Sequence, residues 1–484
     1  MTKQTVLTVD LGAESGRVMA VSFDGRRLST NELRRFPNPL TTTRGTTHWD
    51  FLHIWREIQA GIEAGKELHP ASIGVDTWGV DFALLDNQGH LIGNPVSYRD
   101  DRTEGMMEAV FERVPRSEVF AKTGIQIMRI NTLYQLMSLL ESRSPQLSLA
   151  GTLLMAPDLI NYWLTGVKVC EFTDATTTQM FNPQTGTWAF ELLDSLGLPG
   201  HILPEIVPPG TRLGDYHGIQ VIAPACHDTG SAVAAVPTTT EAYAYISSGT
   251  WSLVGQEIER PIINEKAMAA NVTNEGGVYG TYRLLRNITG LWLVQQSRRT
   301  WASRGDVYSY GELVELARKA SPLVSLVDPN DAGFLPAGDH PLLVQNYCAN
   351  SGQVVPVQKG AILRTILESL ALSYRGTLET LADLSGQEIE AVHIVGGGSQ
   401  NELLNQMTAD ATGIPVVAGP VEATVLGNAL VQLITLGEID DLAQGRQVVA
   451  ESEQVKRYEP QQSDAWEAAY GRLLQLSGSK VQGS

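Results

Sequence analysis

Three glycine-rich turns in this sequence have the residue types that bind phosphate groups. They are Asp10–Arg17, Ser247–Ser252 and Val395–Ser399, and each lies at the end of an apolar run. Glycine leaves backbone N–H groups free to point at an anion, and small or hydroxyl side chains let a phosphate approach closely. One such turn is a weak signal, because most tight turns use glycine for conformational reasons alone. Two such turns at corresponding points of two similarly built halves are a stronger signal.

The two commonest nucleotide-binding signatures are missing from the sequence. A Walker loop requires Gly, four residues and then Gly-Lys-Ser/Thr, whereas the only comparable pair, Gly65-Lys66, is followed by Glu67. No Gly-x-Gly-x-x-Gly pattern follows the first apolar run. The alternative is a nucleotide clamped between two domains, with one turn from each side holding the terminal phosphates.

Two aspartates stand where phosphoryl transfer would need carboxylates. Asp10 ends the first apolar run beside the first turn and could hold Mg²⁺, which prefers oxygen ligands; otherwise it caps the turn by accepting backbone N–H bonds. Asp228 follows the apolar run Val221–Cys226 and could accept the proton of an attacking hydroxyl. The alternative for Asp228 is a helix N-cap.

A further polar cluster, Gly74–Phe82, could bind a sugar. It contains two carboxylates, a glycine and Trp78, whose ring could cover the C–H side of a sugar, although Trp78 could equally belong to the core. Arg99–Arg102, Asn271–Gly277 and Asn287 add polar groups after other apolar runs. So many polar clusters at strand ends favour a binding site.

The elements that would position these residues follow from hydrophobic periodicity. Thr5–Leu11, Arg17–Phe23 and Leu28–Phe36 are predicted strands of a meander. The spacing of apolar residues from Phe51 predicts an amphipathic helix that ends near Gly65, and Ser72–Thr77 is a buried strand. The order predicts a mixed sheet whose first three strands are antiparallel.

The second half of the chain repeats this opening more weakly. Glu241–Ser247 and Trp251–Gln256 are predicted strands around the second turn, Ala361–Asp383 is a predicted helix, and Ala391–Val395 is a strand. The polar stretch Val236–Glu241 between the halves is the predicted domain boundary. Two similarly built halves are therefore expected.

Composition narrows the class of protein. The chain has 484 residues, 43% of them hydrophobic, and a net charge of −18, which argues against nucleic acid or an anionic membrane as the main partner. No apolar stretch reaches about 18 residues, and the N-terminus has no signal-peptide pattern. The three widely spaced cysteines favour a reducing cytoplasm. A small-molecule ligand is the expected partner, and the oligomeric state stays open.

The sequence resembles the FGGY carbohydrate kinases over about residues 5 to 455. The matching stretches are Val9–Met19, Gly74–Phe82, Tyr98–Thr103, Asn131–Leu136, Met155–Gly166, Ala175–Gln179, His227–Val233, Ser247–Gly255, Ala270–Gly277, His393–Asn401 and Ala418–Leu433. The resemblance implies an α/β fold of two actin-like, ribonuclease-H-type domains with an interdomain cleft for ATP and sugar. The implied domains are 1–237, with the sugar site and first phosphate turn, and 238–460, with the nucleotide site, followed by a C-terminal helix and tail over 461–484.

The resemblance also implies a role for individual residues. Those expected to contact nucleotide are Ala13, Glu14, Ser15, Gly16, Arg17, Thr250, Gln295 and Gly397. Those expected to contact the sugar are Gly79, His227, Asp228, Thr229 and Asn287, with Asp228 as the catalytic proton acceptor. The implied reaction is ATP-dependent phosphorylation of L-rhamnulose to L-rhamnulose 1-phosphate, with Mg²⁺ as cofactor and Asp10 on the metal side.

Two alternatives to this reaction stay open at the level of sequence. A kinase of another ketose, such as L-fuculose or L-xylulose, would share every phosphate element and differ only in sugar contacts. A non-catalytic, sugar-sensing protein of the actin-like group is the alternative from another class, but it would have little reason to keep Asp228 beside intact phosphate turns. Glu14 places an acidic residue in the first phosphate turn, and its side chain is expected to point away from the nucleotide.

Overall fold

The computed structural model describes residues 3–461 and 464–478, and they form two compact units. Unit 1 comprises residues 1–239, 257–284 and 423–453, and unit 2 comprises residues 240–256, 285–422 and 454–484. Within these units, only residues 3–461 and 464–478 are described below. Among the described residues, no helix is both long and apolar enough to cross a membrane. The sequence predicted two continuous domains, whereas each compact unit combines three segments of the chain. The predicted limits at 237/238 and 460/461 stay predictions.

The strands found in the described part of the chain vary from two to ten residues. In chain order they are β1 Gln4–Leu11, β2 Ser15–Phe23, β3 Leu28–Pro37, β4 Leu40–Thr43, β5 Thr46–Trp49, β6 Ser72–Thr77, β7 Phe82–Leu85, β8 Thr152–Met155, β9 Val169–Glu171, β10 Phe181–Asn182, β11 Thr187–Trp188, β12 Glu205–Val207, β13 Thr211–Tyr216, β14 Ile219–Ala223, β15 Tyr243–Ser248, β16 Trp251–Ile258, β17 Thr273–Gly276, β18 Tyr282–Thr289, β19 Ala391–Val395, β20 Val416–Ala418 and β21 Lys456–Tyr458.

The α-helices of the same residues include one much longer than the rest. In chain order they are α1 Phe51–Gly65, α2 Met106–Phe111, α3 Arg116–Thr123, α4 Thr132–Glu141, α5 Pro145–Leu149, α6 Ala156–Thr165, α7 Phe172–Ala175, α8 Phe190–Leu196, α9 Asp228–Ala234, α10 Glu265–Ala270, α11 Trp292–Ser303, α12 Tyr310–Lys319, α13 His340–Asn350, α14 Lys359–Ser385, α15 Glu402–Thr412, α16 Ala423–Leu436, α17 Leu442–Ser452 and α18 Asp464–Gly478. Short 3₁₀ helices occupy Lys66–Leu68, Asp101–Thr103, Thr176–Thr178, Gly200–Ile202, Ala332–Phe334 and Gly397–Gln400.

Unit 1 is built on a six-stranded sheet with the order β13-β14-β6-β1-β2-β3. The β1, β2 and β3 strands form an antiparallel meander, and β6 and β14 run parallel to β1 and to each other. β1 is buried along nearly its whole length because helices cover this sheet, which explains its continuous apolar sequence. The predicted mixed sheet and its opening meander are confirmed.

Helix α1 follows the meander as the apolar spacing predicted. Asp50 caps its N-terminus by accepting the backbone N–H of His53 at 3.0 Å, and Ile54, Ile58 and Ile62 are buried on one face. Gly61 lies where this helix crosses the sheet, since an added Cβ would meet Val18 at 2.5 Å. The helix therefore holds the first three strands against the core.

The fold of unit 1 includes a helix from near the end of the chain. Gln432 of α16 donates to the carbonyl of Leu7 at 3.0 Å and accepts from Ser72 at 2.6 Å, both on central strands. Asn428, one helical turn earlier, donates to Asp76 at 2.5 Å. These buried polar contacts fix α16 beside the strands that carry the acidic residues of the site.

Unit 2 repeats the same core arrangement. Its strands β16, β15, β19, β20 and β21 are neighbours in that order in a seven-stranded sheet, with β15 antiparallel to β16 and parallel to β19. The hairpin and the parallel neighbour correspond to β1, β2 and β6 of unit 1, which confirms the predicted likeness of the two halves. The 27-residue helix α14 supplies the long apolar face that was predicted over Ala361–Asp383.

The C-terminal segment forms a helix over its described part. In α18, Glu467 pairs with Arg375 at 2.7 Å, and the hydroxyl of Tyr470 donates to Glu379 at 2.8 Å, which attaches the helix to α14. Of the C-terminal helix and tail predicted over 461–484, residues 479–484 lie outside the described residues.

Candidate active site

The first glycine-rich turn is the connection of the β1–β2 hairpin. Asp10 and Arg17 face each other across the hairpin, and the Arg17 Nη2 lies 2.7 Å from the Asp10 Oδ2, with Nε donating to the same oxygen at 2.8 Å. Asp10 is therefore bound to a side chain of the turn. A Cβ added at Gly16 would lie 2.5 Å from Phe36 and 2.6 Å from Leu11, so this position requires glycine. The turn is rigidly seated on the core.

The remaining turn residues present their backbone at the surface of unit 1. Asn38 holds the turn by donating its side-chain amide to the carbonyl of Gly12 at 2.5 Å and its backbone N–H to the carbonyl of Glu14 at 3.1 Å. Ala13 and Ser15 are half-buried, and Glu14 is exposed. No sequence pattern indicates the supporting role of Asn38, because it lies 26 residues from Gly12.

A second carboxyl group lies beside Asp10. Asp76 of β6 is paired in register with Asp10 of β1, and its side chain is fully buried. Burial, together with the nearby charge of Asp10, raises the pKa of Asp76 well above its ordinary value. The amide of Asn428 donates to the Asp76 Oδ2 at 2.5 Å. Asp76 lies in the polar cluster Gly74–Phe82 that its residue types single out, whereas no local signal indicates Asn428.

Trp78 belongs to the core of unit 1. It is 6% exposed, its ring centroid lies 4.3 Å from that of Trp49, and both indole N–H groups donate to the Asp81 Oδ2. Burial raises the pKa of Asp81 to about 6. Of the two interpretations of Trp78, a sugar platform or a core residue, the structure therefore supports the core residue. Its neighbour Gly79 lies against Thr177, which an added Cβ would meet at 2.9 Å.

Asp228 occupies the first position of helix α9, with His227 as the N-cap residue. The Asp228 Oδ1 accepts the backbone N–H of Thr229 at 2.5 Å and lies 3.5 Å from the His227 Nε2. The Asp228 side chain is 30% exposed. Burial raises the pKa of Asp228 above its ordinary value, against the opposing effect of His227, and the charge of Asp10 raises it further. A higher pKa makes a carboxylate a better proton acceptor.

The segment before Asp228 is held in place by two residues of the α7 start. The apolar run continues to Cys226, but β14 ends at Ala223 because Pro224 has no N–H for the ladder. The backbone N–H of Cys226 then donates to the Glu171 Oε2 at 2.9 Å, and that of His227 donates to the Thr173 Oγ1 at 3.0 Å. Together with the hydrogen bond from the Thr77 N–H of β6 to the carbonyl of Cys226 at 2.8 Å, these contacts hold the segment that continues beyond the end of β14.

Glu171 is expected to make the stability of the protein depend on pH. Burial raises its pKa from 4.5 to about 7, so its contribution to stability is present below pH 4.5 and is lost as the pH rises through about 7. Between pH 4.5 and about 7, the free energy of unfolding of the wild type should therefore decrease more than that of Glu171→Gln. The difference between the two decreases should be on the order of 1 kcal/mol or more. Urea titrations at several pH values measure this. The exposed Glu112→Gln is the control, and equal slopes in all three proteins would contradict the prediction.

Unit 2 contains the second and third glycine-rich turns side by side. The second lies between β15 and β16, and the third follows β19, the parallel neighbour of β15. Gly398 lies so close to Ser248 that an added Cβ would collide with its side chain. The preceding Gly396 has a φ of 82°, which favours glycine. Two of the predicted phosphate turns thus form one surface.

The predicted nucleotide residues of unit 2 lie on this surface and next to it. The hydroxyl of Thr250 donates to the Gln295 side chain at 3.2 Å, and the carbonyl of Thr250 accepts N–H groups of Gly290 and Trp292 at 3.1 and 3.2 Å. Gly397 is exposed, with open space where a side chain would be. Asn287, predicted to contact the sugar, is half-buried on β18 of this unit, whereas Gly79, His227, Asp228 and Thr229 belong to unit 1.

Thr250→Ala is expected to raise the KM for ATP roughly 3- to 10-fold, which corresponds to loss of one hydrogen-bonding hydroxyl. The KM for the sugar should change less, because Thr250 belongs to the second glycine-rich turn of unit 2, whereas four of the five residues expected to contact the sugar belong to unit 1. Initial rates with each substrate varied in turn measure both constants. Thr300→Ala, which removes a hydroxyl of α11 that donates to the carbonyl of Gly338 at 3.2 Å, is the control. An unchanged KM for ATP in Thr250→Ala would remove Thr250 from the nucleotide site.

The residues around Asp10 fit a magnesium ion that is held mainly by phosphate. Among residues 3–461 and 464–478, no group of three or more His, Cys, Asp or Glu side chains could hold a metal by itself. Mg²⁺ bound with a nucleotide usually takes only one or two carboxylates and otherwise uses phosphate and water oxygens. Asp10 is 8% exposed and its Oδ2 is engaged by Arg17, so Oδ1 is the atom that would serve.

Comparisons with known proteins match the chain over nearly its whole length. The N-terminal domain of the FGGY family of carbohydrate kinases matches residues 5–220, and the C-terminal domain of that family matches residues 244–436. A rhamnulokinase of Bacteroides thetaiotaomicron is 47% identical, covering 97% of this chain and 98% of its own. A rhamnulokinase of Pectobacterium atrosepticum is 42% identical, covering 99% and 97%.

Solved structures share the fold at low sequence identity. A ligand-bound xylulose kinase of Lactobacillus acidophilus superposes with a TM-score of 0.81 at 16% identity, covering 99% of both chains. A glycerol kinase of Plasmodium falciparum with ADP has a TM-score of 0.76 at 15% identity, covering 99% of this chain and 98% of that one. The two-domain α/β fold predicted from the sequence is confirmed by these similarities.

Proposed function

The chain belongs to the FGGY family of carbohydrate kinases and is a sugar kinase, and we propose that it phosphorylates L-rhamnulose on its 1-hydroxyl with ATP. The observation that carries this substrate is the 47% and 42% identity to two proteins named rhamnulokinase, over nearly the full length of each chain. The xylulose kinase and glycerol kinase structures are too distant in sequence to favour their substrates.

In the proposed reaction the sugar oxygen attacks the γ-phosphorus of ATP. The bond between that phosphorus and the β,γ-bridging oxygen breaks, and ADP leaves. Asp228 accepts the proton of the attacking hydroxyl, a role for which its partial exposure and raised pKa are suited. Gly79, His227, Thr229 and Asn287 would contact the sugar and orient that hydroxyl.

The glycine-rich turns would bind the nucleotide. Backbone N–H groups of residues 13–17 and the Arg17 guanidinium would hold phosphate oxygens, while Thr250, Gln295 and Gly397 would contact the rest of ATP. Bound Mg²⁺ would neutralise part of the phosphate charge, and Asp10 would be its protein ligand, directly or through water. The proposed compartment is the cytoplasm, where ATP is supplied and where the buried thiols of Cys170, Cys226 and Cys348 stay reduced.

A substrate panel tests the proposed function. ADP release is measured with ATP, Mg²⁺ and one of L-rhamnulose, L-fuculose, L-xylulose, D-xylulose or glycerol. We expect a clear preference in kcat/KM for L-rhamnulose and little ADP release without sugar. Preference for another ketose would replace the substrate and keep the kinase chemistry. No turnover with any of these compounds would contradict the proposal and favour the sugar-sensing alternative.

A further inference from the structure

A fully buried arginine contacts the Nδ1 side of the His227 imidazole. The Arg283 side chain on β18 is fully buried, and its Nη2 lies 3.0 Å from the His227 Nδ1. Its Nε donates to the carbonyl of Gly276 at 2.8 Å, which fixes the plane of the guanidinium. All these residues belong to unit 1. The Arg283 guanidinium therefore lies directly against the Nδ1 side of the imidazole.

A buried guanidinium requires a nearby negative charge, and Glu275 provides it. The Glu275 Oε2 lies 3.2 Å from the Arg283 Nη2, and its side chain is 7% exposed. The same oxygen lies 3.3 Å from the His227 Nδ1. Glu275 therefore faces both neighbours, and its carboxylate balances the charge of the guanidinium through this ion pair.

This geometry determines where the imidazole carries its proton. Arginine stays protonated in proteins and can only donate hydrogen bonds. A hydrogen bond from Nη2 to Nδ1 requires a lone pair on Nδ1, so the single proton of the neutral ring must be on Nε2. An imidazolium, which carries protons on both nitrogens, does not fit this contact either. On the opposite side, Nε2 lies 3.5 Å from the Asp228 Oδ1, an oxygen that can accept.

We propose that Arg283, with its charge balanced by Glu275, is a positioning residue that keeps His227 as the neutral Nε2–H tautomer. The imidazole then offers a hydrogen-bond donor beside Asp228, and it has no lone pair there with which to compete for the proton of the sugar. Given the proposed function, on which this role in catalysis rests, the donor serves a ketose oxygen next to the attacking hydroxyl. Asp228 is then the only proton acceptor of this pair.

The tautomer can be measured directly in the full-length protein without any substrate. Nitrogen NMR of protein labelled with nitrogen-15 histidine distinguishes a protonated from an unprotonated ring nitrogen, and loss of a signal pair in His227→Gln assigns the residue. At about neutral pH we expect a protonated Nε2 and an unprotonated Nδ1. A protonated Nδ1 in the wild type would overturn the proposal.

Two substitutions of Arg283 test whether this residue sets the tautomer. Arg283→Met removes the donor, so the proton should move to Nδ1, where the Glu275 carboxylate accepts it. The kcat/KM for the sugar should fall roughly 10- to 100-fold, the size seen when a partner that orients a functional histidine of a metal site is lost. The KM for ATP should not change. Arg283→Lys keeps a donor and should retain the Nε2 proton with part of the activity.

Three further arms separate positioning from general damage. Glu275→Gln leaves the Arg283 donor in place and should keep the Nε2 proton, although the fold loses stability. Arg34→Met removes an arginine from another ion pair of unit 1, with Glu57, and should change neither the tautomer nor kcat/KM. If Arg283→Met does not fold, the wild-type and Arg283→Lys spectra decide. An unchanged tautomer in folded Arg283→Met would overturn the proposal. An Nε2–H tautomer in a protein without ketose kinase activity would contradict the proposed function alone.

Discussion

Replacing Asp228 with asparagine is expected to lower kcat roughly 10²- to 10⁴-fold, the range over which positioned general bases act. An amide cannot accept the proton of the attacking hydroxyl. The variant should fold, because its side-chain oxygen can still accept the N–H of Thr229, as the Asp228 Oδ1 does at 2.5 Å. Sugar binding should persist, because this contact keeps the substituted side chain in the place of the Asp228 carboxylate. Steady-state kinetics and sugar binding by calorimetry measure the two effects separately.

The pH profile provides a second result from the same pair of proteins. Because burial raises the pKa of Asp228 above 3.8, the wild-type kcat/KM should fall on the acidic side at a pH above that value, as the base becomes protonated. Asp228→Asn should lack this acidic limb. Asp194→Asn, an exposed position on α8, is the matched control and should behave as the wild type. Near-normal turnover in Asp228→Asn would remove this residue from the base role.

The second large effect is expected for Asp10→Asn. Loss of this carboxylate should lower kcat roughly 10²- to 10³-fold, as does loss of one preorganised electrostatic contact to a transition state. The Mg²⁺ concentration that gives half-maximal activity should also rise, because a neutral amide is a poorer ligand for a hard cation. Initial rates over a range of Mg²⁺ concentrations at fixed ATP measure both changes.

A substitution of Arg17, the other partner of the Asp10 ion pair, distinguishes a metal-binding role of Asp10 from a role in the ion pair alone. Arg17→Met removes the 2.7 Å partner of Asp10 and leaves the carboxylate in place. It should weaken ATP binding without raising the Mg²⁺ requirement. If Asp10→Asn and Arg17→Met had the same Mg²⁺ dependence as the wild type, Asp10 would be a structural partner of Arg17 only.

Much of the fold could be predicted because its signals are local. The alternating or continuous apolar runs of β1, β2, β3 and β6 and the three- and four-residue spacing in α1 are properties of short segments. Strand ends were less certain, since β14 stops at Ala223 although the apolar residues continue to Cys226. Proline at 224 ends the ladder, which an apolar pattern does not show.

The long-range contacts of the site left no comparable signal. Gln432 contacts Ser72 across 360 positions, Glu171 holds Cys226 across 55, and Arg283 contacts His227 across 56. Spacing predicts only neighbours within one element, so the sequence singled out Asp10 and Asp228 as candidates beside apolar runs but not the residues that contact them. It also left Trp78 undecided between a binding platform and the core, because both environments accept an aromatic ring.

The central claim is that this protein transfers the γ-phosphate of ATP to the 1-hydroxyl of L-rhamnulose, with Asp228 as the proton acceptor. Phosphorus NMR of one reaction mixture, containing the full-length protein, ATP, Mg²⁺ and L-rhamnulose, tests it most directly. We expect ADP and an equal amount of a phosphomonoester coupled to the two protons of C1, and about a hundredth as much product or less from Asp228→Asn over the same time. Inorganic phosphate in place of the ester, a phosphate on another carbon, or unreacted ATP would contradict the account.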